Sequence, residues 1–360
     1  MKRIRYGMIG FGGIAEHRLA REGFALDRGR FAPLAEAELA AATDLNPARR
    51  AAAESLGLTW HADAAALLAA EGLDAVVIAT NNATHAPLAR AALERNLHVL
   101  VEKPMATRSA AAAELCALAR ARGLSLAVDH MMTENGCNRR ARLELERGTL
   151  GDVNDAVFHM EFLYGATPAE AASWRCSDPA ELGGPIGDVA SHCLYMAEFL
   201  FQNEIQSLAC GYHPKQLPIA VENGATIRFR LENGLTGTIR VSFADARGGL
   251  EGTLSNLGYE IYGARGALRG YGTLFQLSGH PGEPVPVRLE LERFASREDL
   301  SADNPGNIYQ AVVQRHARSI LEGKPMNGRD GWRNLRLVES CHASAQAGGV
   351  WRNTKGEPEP

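Results

Sequence analysis

The sequence predicts an α/β protein with two domains, in which a parallel sheet is followed by a larger, mainly antiparallel sheet. Over residues 1–130, short apolar runs alternate with alanine-rich segments, which is the pattern of βαβ units. After Asp129, strand-like runs follow one another, and Asn233-Gly234 between two alternating runs is a strong hairpin signal. We therefore expect domains over residues 1–130 and 131–352, followed by a disordered tail over 353–360.

The first domain is predicted to contain strands joined by helices. The strands are expected at 4–9, 38–43, 75–79, 98–101 and 125–129, and the helices at 48–56, 64–70, 84–95 and 109–122. A further helix is expected directly after the first strand. Residues 23–36 interrupt this alternation and are predicted to form an inserted loop.

The second domain is predicted to be a series of hairpins closed by two helices. The expected elements are a helix at 138–147, strands at 153–164, 206–212, 226–231, 236–243, 259–262 and 285–294, and helices at 308–321 and 331–347. Alternate side chains of a strand lie on opposite faces of the sheet. One face therefore carries Thr226, Arg228 and Arg230, joined by Arg240 and Ser242 of the partner strand. This polar face is either solvated or a subunit interface.

Composition and charge exclude several classes of protein. The hydrophobic fraction of 46% and charged fraction of 22% are typical of a soluble globular protein, and the net charge of −4 gives no electrostatic case for nucleic acid. No apolar run approaches the ~20 residues that span a bilayer, and the N-terminus enters a strand at once, which leaves no room for a signal peptide. The 6 cysteines are scattered without a Cys-x-x-Cys motif, which indicates reduced thiols, a cytoplasmic location and no structural metal.

A glycine-rich loop between the first strand and a helix matches the dinucleotide-binding pattern G-x-G-x-x-A. Its residues are Gly10, Phe11, Gly12, Gly13, Ile14 and Ala15. The first glycine permits a tight turn, the second lets the backbone approach a pyrophosphate, and the alanine lets the helix pack closely on the strand. The helix N-terminus then offers N–H groups and a positive dipole end to the phosphates.

The end of the second strand predicts which dinucleotide is bound. Asp44 ends that strand, and a carboxylate there can accept both ribose hydroxyls of NAD and would repel the 2′-phosphate of NADP. The inserted loop explains why Asp44 lies further from the glycine loop than the usual ~20 residues. Arg49 and Arg50 follow, and either is an alternative partner for a 2′-phosphate. The sequence therefore favours NAD over NADP.

Glu102-Lys103-Pro104 directly follows the apolar strand at 98–101. Lys103 is thereby placed at the carboxyl end of a central strand, where open α/β sheets bind their ligands. Pro104 restricts the preceding lysine to an extended backbone. The lysine cation would then stabilise a developing alkoxide at the edge of the cofactor.

Asp188 and His192 follow a turn rich in glycine and are spaced i, i+4, so they share one face of a helix that we expect to begin at about Asp188. Histidine, with a reference pKa of about 6.5, suits removal of a hydroxyl proton at neutral pH. Asp188 would orient the imidazole or bind a neighbouring substrate hydroxyl. The structural alternatives are an N-cap aspartate and a core histidine bonded to a backbone carbonyl. Whether Lys103 or His192 takes the proton stays open.

Taken together, these motifs resemble the Gfo/Idh/MocA family, which includes glucose–fructose oxidoreductase and inositol dehydrogenase. The segment 79–85, Ala-Thr-Asn-Asn-Ala-Thr-His, is similar to the family's strand-end loop near the nicotinamide. Residues 102–104 match its E-K-P motif, and Trp174-Arg175 followed by Gly183-Gly184 through Asp188 and His192 matches its W-R … G-G-x-x-x-D-x-x-x-H segment. Pro185 stands where the family usually has a small residue.

The resemblance implies a Rossmann domain and an α/β domain built on a large, mainly antiparallel open sheet that forms homodimer or homotetramer contacts. It assigns catalytic roles to Lys103, Asp188 and His192. It assigns cofactor contacts to Gly10, Phe11, Gly12, Gly13, Ile14, Ala15, Asp44, Thr80, Asn81, Asn82, His85, Glu102 and Lys103. Weaker candidates for substrate contact are His130, Glu161, Trp174 and Arg175, for each of which a structural role is the alternative.

Three functions fit this residue set. The leading hypothesis is an NAD-dependent dehydrogenase acting on a CH–OH group of a sugar or cyclitol. The second is a glycoside hydrolase or epimerase that retains NAD for transient oxidation. The third is a non-catalytic NAD-binding sensor, against which Lys103, Asp188 and His192 argue because a sensor needs no proton transfer.

Overall fold

The computed structural model describes residues 2–245, 257–274, 287–301 and 306–354, which separate into two units. The first unit comprises residues 2–131 and Asn307–Leu335, and the second comprises the described residues of 132–306 and of 336–358. The sequence-based division assigned 307–335 to the second domain, whereas the structure packs this segment with the first unit.

A parallel sheet organises the first unit. Within the described residues it has six strands in the order β3-β2-β1-β4-β5-β6, and every neighbouring pair is parallel. The strands are β1 Ile4–Ile9, β2 Ala37–Thr43, β3 Thr59–Trp60, β4 Ala75–Ile78, β5 His98–Val101 and β6 Leu126–Val128. The strand order reverses between β1 and β4, as in a doubly wound dinucleotide-binding sheet. This confirms the predicted Rossmann domain; only the two-residue β3 was not predicted.

Helices connect these strands, as the alanine-rich segments predict. They are a π-helix at Ala15–Gly23, a 3₁₀ turn at Pro47–Arg49, α1 Arg50–Ser55, α2 Ala64–Leu68, α3 Asn82–Glu94 and α4 Ser109–Arg122. Asp63 caps α2 by accepting a hydrogen bond of 2.7 Å from the backbone N–H of Ala66. The segment after the π-helix is irregular up to β2, as predicted, and it buries Phe24, Phe31 and Leu34.

The helix Ile308–Leu321 joins the first unit through buried polar and backbone contacts. The hydroxyl of Tyr6 in β1 lies 2.9 Å from Nδ1 of His316 on this helix. Beyond the helix, the carbonyl oxygen of Met326 accepts a 2.9 Å hydrogen bond from the backbone N–H of Leu126 in β6. The predicted domain boundary followed the order of elements along the chain, and that order does not reveal contacts between residues that are far apart in sequence.

A mainly antiparallel sheet organises the second unit. In the described residues it has nine strands in the order β14-β13-β12-β11-β7-β10-β9-β8-β15, and only the pair β7–β10 is parallel. The strands are β7 Val153–Glu161, β8 Ile205–Tyr212, β9 Gly224–Leu231, β10 Thr236–Ser242, β11 Leu257–Gly263, β12 Gly266–Tyr271, β13 Arg288–Arg293, β14 Ser296–Asp299 and β15 Arg352–Asn353. The sequence analysis missed β12, β14 and β15. Residues 285–286 of one predicted strand, and 355–360 of the predicted tail, lie outside the described residues.

The predicted hairpin joins β9 and β10, with Gly234 at φ +90°. The apolar face of the sheet buries Phe158, Phe229 and Tyr259. On the opposite face Arg228 and Arg230 are exposed as predicted, and their guanidinium groups lie 5.7 and 5.8 Å from the ring centre of Trp351. Ser242, predicted on this same face, is fully buried, and its hydroxyl accepts hydrogen bonds from the backbone N–H groups of Ala244 and Asp245 just after the strand.

The helices of the second unit frame this sheet. They are α5 Gly136–Glu146, α6 Pro168–Ala171, α7 Trp174–Ser177, a π-helix at Pro185–Ala190 and α8 Ser191–Phe201. After α9, the helix Ile308–Leu321 of the first unit, comes α10 Arg329–Gln346, whose residues up to Leu335 belong to the first unit and the rest to the second. None of the helices in the described residues is long and apolar enough to cross a bilayer. All of the cysteines are buried free thiols.

Candidate active site

The glycine loop of the first unit has two kinds of glycine. Gly10 has φ +88°, and a Cβ atom there would lie 2.6 Å from the carbonyl oxygen of Ala79, so the chain itself requires glycine at this position. A Cβ atom on Gly12 or Gly13 would meet nothing within 4 Å. The space over these two residues is therefore open, and it fits the approach of a dinucleotide diphosphate to bare backbone. Phe11 and Ala15 are buried, and Ile14 is 37% exposed.

Asp44 lies beside this loop, as predicted. Its carboxylate accepts hydrogen bonds from the backbone N–H groups of Phe11, at 2.6 Å, and Asn46, at 2.8 Å. An ionised carboxylate offers about four lone-pair positions. Asp44 therefore retains acceptor capacity for the ribose hydroxyls of a bound dinucleotide.

The two arginines that could bind a 2′-phosphate are both paired with carboxylates. Arg49 donates from Nε to the carbonyl oxygen of Phe11 at 2.6 Å and forms an ion pair with Glu16. Arg50 pairs with Glu54 at 2.8 Å. Burial raises the pKa of Glu16, but hydrogen bonding and nearby cations outweigh burial and lower it overall. The sequence analysis missed Glu16, whose pairing depends on the path of the chain after β2.

The loop after β4 and the start of α3 contain the four residues that the resemblance placed near the nicotinamide. Asn81 is exposed and Asn82 is buried, whereas the hydroxyl of Thr80 lies 2.7 Å from that of Thr84. His85 is buried; its Nδ1 donates to the carbonyl oxygen of Pro104 at 2.7 Å, and its Nε2 lies 3.2 Å from the carbonyl oxygen of Thr80. His85 thus joins the loop after β4 to the loop after β5.

Glu102 and Lys103 begin the loop after β5. The backbone N–H of Glu102 donates to the carbonyl oxygen of Ile78 at 2.9 Å, and that of Lys103 donates to the Glu102 side chain at 3.1 Å. The Lys103-Pro104 peptide bond is cis. Since β1, β4 and β5 are neighbouring parallel strands, the glycine loop, the Thr80 loop and Lys103 all lie at the carboxyl edge of one sheet.

His130 follows β6 at this same edge of the sheet. Its side chain is buried, and its Nδ1 lies 3.3 Å from Oδ2 of Asp330. Burial raises the pKa of the Asp330 carboxyl, but the hydrogen bond and charge of His130 outweigh burial and lower it overall. The sequence carries no local signal for this pairing, because the two residues are far apart in the chain.

In the second unit, helical structure begins at Pro185, before the predicted start at Asp188. The backbone N–H of Ile186 donates to Glu222 at 2.8 Å, and Gly184 is the N-cap residue, so the alternative of Asp188 as an N-cap is wrong. Asp188 instead forms an ion pair with Arg175 at 3.4 Å.

Arg175 also contacts its chain neighbour. Its guanidinium lies 4.4 Å from the ring centre of Trp174. Of the four substrate candidates, Arg175 therefore forms an ion pair with Asp188 and Trp174 contacts Arg175 through a cation–π interaction.

His192 lies on α8, one helical turn beyond Asp188, and is 4% exposed. Its Nδ1 is 2.8 Å from the hydroxyl oxygen of Tyr195, whose side chain is also buried. A backbone carbonyl was the structural alternative for the partner of His192, and Tyr195 was not predicted although the i, i+3 spacing was a usable signal. Cys193 is fully buried, and burial raises the pKa of its thiol.

Glu161 ends β7 and is 2% exposed. Its carboxylate lies 3.1 Å from Nδ1 of His159 and 3.4 Å from Nε of Arg240. Glu161 therefore belongs to a cluster of ionisable side chains within the second unit, in which Glu161 and His159 are buried and Arg240 is partly exposed.

Comparison with known proteins agrees with this geometry. Residues 4–130 match the oxidoreductase family with an NAD-binding Rossmann fold, and residues 138–269 match the GFO/IDH/MocA C-terminal domain. The chain is 29% identical to D-apiose dehydrogenase from Paraburkholderia graminis over 87% of this chain and 82% of that protein. It is 32% identical to dTDP-3,4-didehydro-2,6-dideoxy-α-D-glucose 3-reductase from Streptomyces violaceoruber over 83% of this chain and 84% of that protein.

Among solved structures, an inositol dehydrogenase homologue from Azotobacter vinelandii complexed with NAD⁺ is similar to this chain. The TM-score is 0.78 at 24% identity, over 98% of this chain and 97% of that one. This likeness shows the fold, and the two sequence matches show the relationship. The chain belongs to the GFO/IDH/MocA oxidoreductase family, whose N-terminal domain is an NAD-binding Rossmann fold.

Proposed function

We propose that this protein is an NAD-dependent dehydrogenase that oxidises a secondary hydroxyl of a sugar or cyclitol. The observation that carries the proposal is the shared sheet edge in the first unit. There the open space over Gly12 follows β1 and Lys103 follows β5, and these two strands flank β4 in the parallel sheet. The substrate class is supported by relatives named for apiose and for a dideoxyglucose nucleotide.

We propose NAD rather than NADP as the cofactor. The backbone of the glycine loop would hold the diphosphate, and Asp44 would accept the ribose hydroxyls. Arg49 and Arg50 already pair with carboxylates, so a 2′-phosphate would have to displace Glu16 or Glu54. When bound, NAD supplies the acceptor for the hydride that leaves the carbinol carbon.

We propose that side chains of the protein accept the hydroxyl proton and stabilise the negative charge on the reacting oxygen. As the hydride leaves with the two electrons of the C–H bond, the O–H bond breaks, its proton passes to His192, and the carbon–oxygen double bond forms. Lys103 donates a hydrogen bond to this oxygen and stabilises its negative charge. Asp188, held by Arg175, binds a neighbouring hydroxyl, and Trp174 lies against the apolar face of the sugar.

The remaining residue assignments rest on the family resemblance. Thr80, Asn81 and Glu102 would contact the cofactor from the loops after β4 and β5. For His130 and Glu161, substrate contact is supported by the resemblance alone, and their partners Asp330 and Arg240 would hold them in place.

A substrate screen tests the reaction class. The protein is incubated with NAD and a panel of inositols, aldoses, anhydrosugars and glycosides, and NADH is followed by absorbance. Stoichiometric NADH with one of these compounds supports a dehydrogenase. Product without NADH, with solvent deuterium entering the substrate, indicates the NAD-retaining alternative and contradicts the proposal. No product from any compound, with tight NAD binding, would favour the sensor.

Two variants test the residue roles on the substrate so identified. Lys103→Met and His192→Ala are each expected to reduce kcat/KM by about 10²–10⁴-fold, because each removes a group used in proton transfer or charge stabilisation. NAD affinity should change little. Two matched controls make the same replacements outside the proposed site. Lys324→Met changes an exposed lysine of the first unit, and His342→Ala changes a surface histidine of the second unit. Near-wild-type rates in both active-site variants would refute the mechanism.

We also propose that the open sheet of the second unit forms a homodimer or homotetramer. The support is its exposed face, where Arg228, Arg230 and Trp351 are grouped. Light scattering coupled to size exclusion should show an oligomer that the double variant Arg228→Glu/Arg230→Glu dissociates. A monomeric wild type would contradict this.

A further inference from the structure

The hydrogen bond between Tyr195 and His192 is built into a single helix. Both residues lie on α8 at spacing i, i+3, so the helical backbone itself brings their side chains to one face. The Tyr195 hydroxyl oxygen is 2.8 Å from Nδ1 of His192, and the two rings meet edge to face with centres 5.5 Å apart. Because only 4% of His192 and 7% of Tyr195 is exposed, the bond is shielded from competing water.

This bond matters because the two nitrogens of an imidazole differ in role. A neutral imidazole carries one N–H, and it acts as a base only through the nitrogen that has the free lone pair. In the tautomer whose Nδ1–H donates to the Tyr195 oxygen, the lone pair lies on Nε2, so proton exchange with a substrate falls to Nε2. The same phenol oxygen can accept from Nδ1–H of the imidazolium.

We propose that Tyr195 is the positioning residue for His192: it fixes the ring orientation and holds Nδ1, so that Nε2 receives the hydroxyl proton of the substrate. As the substrate O–H bond breaks and Nε2 gains the proton, Nδ1–H donates to the Tyr195 oxygen, and Tyr195 neither gains nor loses a proton. This inference rests on the proposed function, in that His192 must be the group that accepts the proton.

The formal charges around His192 are the same with and without the tyrosine hydroxyl. Helix α8 packs against α5, β7 and the π-helix before it. The titratable and charged groups on these elements, besides Cys193 and Glu198 of α8 itself, are Asp188, His159, Glu161, Asp155, Cys137, Arg139, Arg140, Arg142, Glu144 and Glu146. Replacing Tyr195 with phenylalanine changes none of their charges, so a shifted pH profile would report the lost hydrogen bond.

The central experiment measures kcat and KM of Tyr195→Phe from about pH 5 to pH 9 with the substrate found by the screen. We expect kcat/KM to fall on the order of tenfold, mostly in kcat, because the ring loses its orienting bond. The acidic limb of the profile should move to lower pH by about half a unit to one unit, because a buried imidazolium loses its acceptor, and hydrogen bonds to charged groups are the stronger kind.

Tyr212→Phe is a matched control. Tyr212 makes the same type of bond in the same unit, with its hydroxyl 2.9 Å from Nδ1 of His342, and is not part of the proposed machinery. Removing the Tyr212 hydroxyl should leave both kcat/KM and its pH profile unchanged. A Tyr195→Phe profile that overlays the wild type would overturn the inference, as would an equal shift in Tyr212→Phe.

A measurement on the unaltered protein does not depend on whether the variant folds. Nitrogen-15 NMR of histidine-labelled protein, with His192 assigned from the spectrum of His192→Ala, reports the state of each ring nitrogen. A hydrogen-bonded Nδ1 is expected, and two freely exchanging tautomers would overturn the inference. If His192→Ala keeps full activity, the proposed function fails; if it is inactive while Tyr195→Phe keeps the wild-type profile, only the role of Tyr195 fails.

Discussion

Replacing Asp44 with asparagine should relax the preference for NAD, and the structure allows the size of the effect to be worked out. The substitution keeps the shape of the side chain and removes its charge. In the protein the carboxylate lies beside the glycine loop, where it accepts hydrogen bonds from Phe11 and Asn46. Any 2′-phosphate of a bound NADP would therefore approach an anion.

Two effects contribute to the change. A unit charge about 4 Å from a phosphate charge at an effective dielectric constant near 20 costs about 4 kcal/mol, and solvent at the half-exposed side chain reduces this to about 2 kcal/mol. Removing that repulsion should tighten NADPH binding about 30-fold. Losing the charge-assisted bonds to the ribose hydroxyls should weaken NADH binding by about 1.5 kcal/mol, roughly tenfold. The ratio of the two dissociation constants should therefore change by about 300-fold.

The assay needs no substrate, because fluorescence titration with NADH and NADPH reports both affinities directly. Asp63→Asn is the matched control: it removes the same charge in the same unit, from the N-cap of α2. The ratio of the NADH and NADPH dissociation constants of Asp63→Asn should stay within about twofold of the wild-type ratio. A folded Asp44→Asn variant that changes the ratio by less than about threefold would refute the role of Asp44, as would a wild type that binds NADPH more tightly than NADH.

Three further outcomes are expected. Gly10→Ala should lower the free energy of urea unfolding by about 2 kcal/mol or more, whereas Gly12→Ala should leave it within about 0.5 kcal/mol and weaken NADH binding at least about tenfold; an equal loss of stability in both variants would contradict this. Burial lowers the pKa of His316 to about 3, so as pH falls the imidazole is protonated in the unfolded chain before it is protonated in the folded protein. The free energy of unfolding is therefore highest above pH ~6.5 and falls by ~2 kcal/mol between about pH 7.5 and pH 5. This fall should be absent in His316→Gln, and an equal pH dependence of urea unfolding in the two proteins would contradict the expectation. Gly234→Ala, at a φ of +90°, should cost about 1 kcal/mol of stability without changing NADH affinity, and an unchanged unfolding midpoint would count against the hairpin argument.

The sequence predicted the first unit well because its signals are local. Four-residue apolar runs such as Ala75–Ile78 and His98–Val101 are buried along their length or nearly so, and they stand between alanine-rich helices. The winding of the helices was not predictable: Ala15–Gly23 and Pro185–Ala190 are π-helical. That choice depends on which carbonyl each N–H meets after packing, and composition does not encode it.

The second unit was predicted less completely for a related reason. Strands β9 and β10 are joined by a short turn with its own chemical signature, so their pairing could be expected. By contrast, β15 is two residues long and pairs with β8 from far along the chain, and β14 is fully exposed. Short or exposed strands lack the alternation of apolar and polar residues that identifies a strand.

For the candidate site, the motifs could be located but the electrostatic partners could not. The sequence left two roles open to Asp188, orienting the imidazole or binding a substrate hydroxyl. In the structure its carboxylate pairs with Arg175, and Nδ1 of His192 lies against Tyr195. A phenol adds no charge beside the imidazole, so the bond to Nδ1 of His192 is a neutral hydrogen bond. Under the proposed function, this bond orients His192, and Asp188, paired with Arg175, binds a neighbouring substrate hydroxyl.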